Sequence, residues 1–199
     1  MAIKPILFNT EMVRAILDGR KTCTRRIIKA EKVDNVLNSP ARKSNPDIPD
    51  AQFIKCLVDM KYEPGDILYV RETWYKSPSR YMYRADYSHT ERFYTDGKEV
   101  SIKWHPSIHM PKEAARIWLK VTDVRVERLQ DITIDEIRKE GLEPRFDVKD
   151  KFSDGIARGR FLELWNSTIK KSDLDRYGWD ANPWVWVIEF ERCEKPKGV

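Results

Sequence analysis

The hydrophobic pattern of residues 117–126 changes phase part-way along. Ile117, Leu119 and Val121 fall on alternate positions, and the alternation then restarts one place late at Val124 and Val126. Side chains in a strand alternate with a period of two, so one extra residue has to be absorbed near Thr122 and Asp123. The pattern predicts a long strand with a β-bulge, and a bulged strand suits a closed barrel. The segment 184–190 adds a second strong strand, with Trp184, Trp186, Ile188 and Phe190 on one face, the signature of a buried sheet side.

The other elements fit around these two. Ile3-Lys4-Pro5-Ile6-Leu7-Phe8 reads as a short strand with Pro5 near its start, where a missing N–H does least harm. Thr10 is the expected N-cap of a following helix with Val13, Ile16 and Leu17 on one face and Gly19 as its terminator. An alternating run from Thr22 to Ile28 comes next, which sets Lys21 at a helix-to-strand junction. Residues 29–62 lose periodicity and collect Pro40, Pro46 and Pro49, so an ordered loop or a mobile insertion is expected there. Pro64-Gly65-Asp66 turns into a strand over 67–74, and 81–86 is a further strand candidate. Thr133-Ile134-Asp135-Glu136 is a capping box opening a short helix that ends at Glu140-Gly141, and another helix runs through Phe161, Leu162 and Trp165. Without long alternating crossovers a doubly wound parallel sheet is disfavoured. An α+β fold, a small mixed barrel with peripheral helices, is expected.

Composition narrows the function classes. With 199 residues, 41% hydrophobic and 35% charged, the chain has the material for one domain with a real core. Its longest apolar run, 184–188, is far short of the roughly twenty residues that cross a bilayer, and its N-terminus lacks the pattern of a signal peptide. A cytoplasmic protein without a membrane partner is expected. Cys23, Cys56 and Cys193 are odd in number and far apart, which suggests reduced thiols. His105 and His109 have the spacing of two ligands on a helix, but Pro106 and Pro111 argue against a helix there, and neither metal nor cofactor is expected.

The formal charge is +5, and residues 20–43 alone carry Arg20, Lys21, Arg25, Arg26, Lys29, Lys32, Arg42 and Lys43 against Glu31 and Asp34. Such a run attracts a phosphate backbone with salt-dependent affinity and little sequence preference; a solvated loop face is the alternative. Exposed aromatics can stack unpaired bases, and Trp104 and Trp179, in loop-like segments, are the candidates for that contact. Glu72 is expected to need a partner if buried, with Arg26 or Arg71 available.

The segment Gly19-Arg20-Lys21-Thr22-Cys23-Thr24-Arg25-Arg26 resembles the ASCH family, small proteins of the PUA-like superfamily with the signature Gly-x-Lys-x-x-Glu-x-Arg. Thr24 stands where that signature has Glu, an arrangement similar to that of the bacterial N4-acetylcytidine amidohydrolases. The segments 65–74, 107–111 and 177–184 look closer to ASCH proteins encoded by phages and prophages. The resemblance implies a single PUA-like mixed β-barrel over 1–199, with insertions at about 29–62, 75–115 and 143–160. It also implies a cleft in which Lys21, Thr24 and Glu140 converge, with Arg26 orienting the ligand or holding a carboxylate.

Two functions follow as expectations. In one, Arg20, Arg25, Arg26, Lys29, Trp104 and Trp179 bind RNA, single-stranded nucleic acid or a modified nucleoside. In the other the chain is an amidohydrolase, with Thr24 as nucleophile, Lys21 as its base and Glu140 as proton relay.

Overall fold

The computed structural model describes residues 1–95, 97–142 and 151–198, so the 143–150 part of the expected 143–160 insertion lies outside the described residues. Strand β1 (Ile3–Leu7) leads into helix α1 (Thr10–Leu17), and β2 (Cys23–Ile27) follows. Three short helices, α2 (Ala30–Leu37), α3 (Pro40–Lys43) and α4 (Asp50–Leu57), precede β3 (Ile67–Arg71). Two hairpins, β4 (Trp74–Lys76) with β5 (Tyr81–Tyr83) and β6 (Phe93–Thr95) with β7 (Lys98–Val100), separate β3 from β8 (Trp118–Arg128). Helices α5 (Ile134–Lys139), α6 (Lys151–Thr168) and α7 (Leu174–Tyr177) then lead to β9 (Trp184–Cys193).

The main sheet has the order β1-β3-β8-β9-β2, with β1 parallel to β3 and every other neighbour antiparallel. The β8–β9 ladder shifts register between Val121 and Asp123, at the bulge the phase change predicts. Both faces of β9 are covered. Trp186, Ile188 and Phe190 pack with Val13 and Ile16 of α1, Val33 of α2 and Ile54 of α4. Val185 and Val187 join Ile137 of α5 with Phe161 and Trp165 of α6 in a second cluster. The molecule is thus an α+β fold on a mixed sheet, as the sequence predicts.

The sheet does not close into a barrel. Its terminal strands in the pairing order are β1 and β2, and a side chain spans them: the Arg26 guanidinium donates to the Leu7 carbonyl at 2.9 Å. The outer edge of β1 is poorly suited to a ladder, because Pro5 has no N–H and its carbonyl accepts from the Tyr62 hydroxyl at 2.8 Å.

The span 29–62 differs from the expected loop, since it folds as α2, α3 and α4. Two of the prolines that suggest a loop sit at helix starts, where proline is tolerated: Pro40 in the first turn of α3, behind a Ser39 cap, and Pro49 as the N-cap of α4. Helix α1 is capped by Asn9, whose side chain accepts from the Met12 amide, and not by Thr10. The capping box at Thr133 and Glu136 forms as the sequence predicts. Among the described residues no helix is long and apolar enough to cross a membrane.

Candidate functional site

The ends of α1 and α5 are brought together by short backbone bonds. Gly19, at φ 76°, turns the chain out of α1, and the amides of Arg20 and Lys21 both donate to the Ala15 carbonyl at 2.9 Å. Helix α5 ends in the same way at Glu140 and Gly141, the latter at φ 90°. A Cβ on residue 141 would lie 2.7 Å from that of Ala15 and 3.0 Å from that of Lys21, so glycine is what permits the approach. The Thr22 amide donates to Lys139, and Lys21 and Glu140 form an isolated antiparallel bridge.

The bridge delivers two buried charged side chains to one point. Lys21 Nζ donates to the Cys23 carbonyl at 2.8 Å, to the Glu140 carbonyl at 3.0 Å and to Glu140 Oε2 at 2.6 Å. Three acceptors for three protons is the geometry of an ammonium. Burial pushes the amine below its ordinary pKa, while the Glu140 charge and hydrogen bond pull it back up. The same surroundings act on the Cys23 thiol, which burial and Glu140 push up to about 12.

Glu140 Oε1 accepts from Arg25, whose guanidinium also meets Glu136 at 3.1 Å and Glu127 at 3.3 Å. Arg125 links Glu127, Glu136 and Glu189 in turn. Arg25 is therefore an interior residue enclosed by carboxylates, although the sequence suggests a phosphate contact. Its burial follows from its register, since it stands midway along β2 opposite buried Val187 of β9.

Thr24 is also buried, and its hydroxyl makes none of the hydrogen bonds among the described residues. It lines a hollow of about 30 Å³ with Arg26, Glu140, Phe161, Trp165 and Thr168, room for on the order of one water. The Lys21 amine sits on the carbonyl of the peptide that joins Cys23 to Thr24. The fold thus gathers Lys21, Thr24 and Glu140 in one region.

A second and larger cavity, about 500 Å³, adjoins the first at the open edge of the sheet, and Met12, Arg26 and Thr168 line both. Its apolar lining includes Ile28, Val124, Trp186 and Ile188 from the sheet side, with Met60 and Tyr62 from beyond α4. Its charged lining is Arg26, Lys29, Lys32 and Lys61 against Asp59. Arg26 also lies over the Phe8 ring, 5.3 Å from its centroid.

The remaining predicted site residues lie elsewhere. Arg20 is turned onto Asp18 and the Gly141 carbonyl, at 2.8 and 2.7 Å. Trp179 is half-buried and packs edge-on against Phe161 at 6.0 Å, on the outside of the second hydrophobic cluster. Trp104 belongs to a separate aromatic group with Tyr87 and Phe93 and carries Arg84 on its face. It lines an open groove beside β6 and β7, not the 500 Å³ cavity. Glu72 is buried and paired bidentately with Arg116, at 2.9 and 3.0 Å, in place of Arg26 or Arg71.

Sequence reasoning does not place Lys61 and Tyr62 in a site. The period-two spacing of Val58, Met60 and Tyr62 is the signal that these residues lay an extended apolar edge along the cavity.

Neither a scan against protein-family models nor a search of curated proteins finds a match. Among solved structures the chain is similar to an ASCH domain from Lactobacillus crispatus JV V101, at 11% identity and a TM-score of 0.39, covering 96% of this chain and 79% of that one. It is also similar to hypothetical protein PH0355, at 14% identity and a TM-score of 0.36, covering 97% of this chain and all of the other.

Proposed function

We propose that the chain binds a nucleobase-bearing anion, as RNA, single-stranded nucleic acid or a modified nucleotide, in the cavity at the open edge of the sheet. The observation that carries this reading is the lining of that cavity, in which aromatic and aliphatic side chains are faced by Arg26, Lys29, Lys32 and Lys61 against the single acid Asp59. A flat base gains from apolar burial and stacking, and its phosphate gains from the cations. The likeness of residues 19–26 to the ASCH signature supports the same reading. Equilibrium binding of labelled single-stranded RNA and DNA, titrated between about 50 and 200 mM salt, tests it. Affinity that falls with salt is expected of a strand or of a mononucleotide titrated in the same way, and absent or salt-insensitive binding of both overturns the proposal.

A second reading, removal of an acyl group from a nucleoside such as N4-acetylcytidine, is favoured by the meeting of Lys21 Nζ and Glu140 Oε2 beside an unengaged Thr24 hydroxyl. In that reaction the Lys21 ammonium first passes a proton to Glu140 Oε2, Thr24 Oγ1 attacks the acyl carbon as the neutral amine takes the hydroxyl proton, and protonated Glu140 gives its proton to the departing amine. Water then frees the acyl group from Thr24. The reaction requires Phe161 and Trp165 to move aside, because the hollow holds a water and not an acylated base. Release of cytidine from N4-acetylcytidine that is lost in Thr24→Val and Lys21→Ala supports it. No release from about pH 6 to 9 by the folded protein removes it.

A further inference from the structure

Three of the four cations of the 500 Å³ cavity come from the 29–62 excursion, which also supplies Val58, Met60 and Tyr62 to its apolar lining. The sheet side supplies Ile28, Val124, Trp186 and Ile188, whereas the 29–62 excursion supplies Lys29, Lys32 and Lys61. Lys29 is the N-cap of α2 and Lys32 lies in its first turn, where the Lys32 amide donates to the Lys29 carbonyl at 3.0 Å, and both line the cavity. None of the ion pairs among the described residues uses Lys29, Lys32 or Lys61. Arg26 is engaged differently, since its guanidinium donates to the carbonyls of Leu7 and Arg25. Three ammonium groups outside any of those ion pairs, one of them, Lys61, lying over the Tyr62 ring at 5.1 Å, therefore line one apolar hollow with one carboxylate.

Resting on the nucleobase reading above, we infer that this cavity takes a nucleoside monophosphate, with its terminal phosphate on Lys29, Lys32 and Lys61, and not an internal nucleotide of a strand. A phosphomonoester carries a charge close to −2 at neutral pH and three strong acceptor oxygens, which matches three point-charge donors. A phosphodiester carries one charge and must leave the site in two directions. Arg26, which joins β2 to the end of β1 through the Leu7 carbonyl, lines the same cavity. The volume lies in the range of small-molecule pockets.

Calorimetric titration of the intact chain with the four ribonucleoside 5′-monophosphates, the four nucleosides, a single-stranded decanucleotide and decyl phosphate tests the inference. At least one monophosphate is expected to bind about tenfold or more tighter than its nucleoside and tighter than the decanucleotide. The exposed substitutions Lys32→Gln and Lys61→Gln, combined, are expected to abolish that margin, with circular dichroism confirming the fold. Equal affinity for nucleoside and monophosphate, or tighter binding of the decanucleotide, overturns this inference and leaves base recognition standing. Decyl phosphate binding as tightly as the nucleotides, or no binding by any of them, overturns both.

Discussion

The amine of Lys21 stands 2.6 Å from Oε2 of Glu140, and the same two residues, 119 apart in the chain, pair through their backbones as an isolated antiparallel bridge. Side-chain and main-chain contact reinforce each other here. The bridge fixes where the two Cα atoms lie, and the ion pair satisfies charges that the fold takes out of water.

Removing one member leaves a buried charge with an incomplete shell. Lys21→Met is expected to destabilise the chain by about 3–5 kcal/mol in urea denaturation. The double variant Lys21→Met, Glu140→Gln should lose less than the two single losses combined, with a coupling of about 1–3 kcal/mol. Strictly additive losses would show that the pair contributes no mutual stabilisation.

Gly141→Ala meets two costs at once. An alanine there has to hold φ 90° and place its Cβ 2.7 Å from that of Ala15. Backbone strain and overpacking each cost about 1–3 kcal/mol. Adding Ala15→Gly should recover only the packing part. A Gly141→Ala protein with unchanged denaturation midpoint would contradict the close approach.

The thiols should separate by reactivity. Cys56 is exposed, whereas Cys23 is buried and its pKa is pushed up to about 12 by burial and by Glu140. Alkylation at pH 8, followed by mass spectrometry, is expected to modify Cys56 rapidly and to reach Cys23 only on unfolding. Comparable rates at the two positions would mean that the Cys23 surroundings open in the native state.

Arg116 balances the buried Glu72 carboxylate, whose pKa burial pushes above its ordinary value even with the arginine present. Arg116→Ala is expected to cost about 3–5 kcal/mol at neutral pH. A carboxyl whose folded pKa is raised binds its proton more tightly folded than unfolded, so stability rises as pH falls through the folded value towards the unfolded value near 4.5. The loss in Arg116→Ala should accordingly be smaller at pH 5 than at pH 8, and a pH-independent loss would place the variant's defect elsewhere.

The strands were readable because their signals are local and periodic. The phase change after Val121 shows in the side-chain alternation itself, and the Thr133–Glu136 capping box is a contact three residues long. The prolines of 29–62 misled because proline marks helix starts as well as loops, and the difference lies in tertiary burial of Val33, Phe53 and Ile54. The convergence of Lys21 with Glu140 was suggested by family resemblance; no local pattern could give it, since it depends on a glycine whose missing side chain matters only in three dimensions. Arg25 looked like its basic neighbours in sequence, and only the ladder places it opposite Val187 in the interior.

A seam held by one guanidinium behaves differently from a seam held by a ladder. The Arg26 bond to Leu7 can break without the loss of any pairing in the five-stranded sheet. The two outer strands are thereby joined through a long side chain and not through backbone pairing.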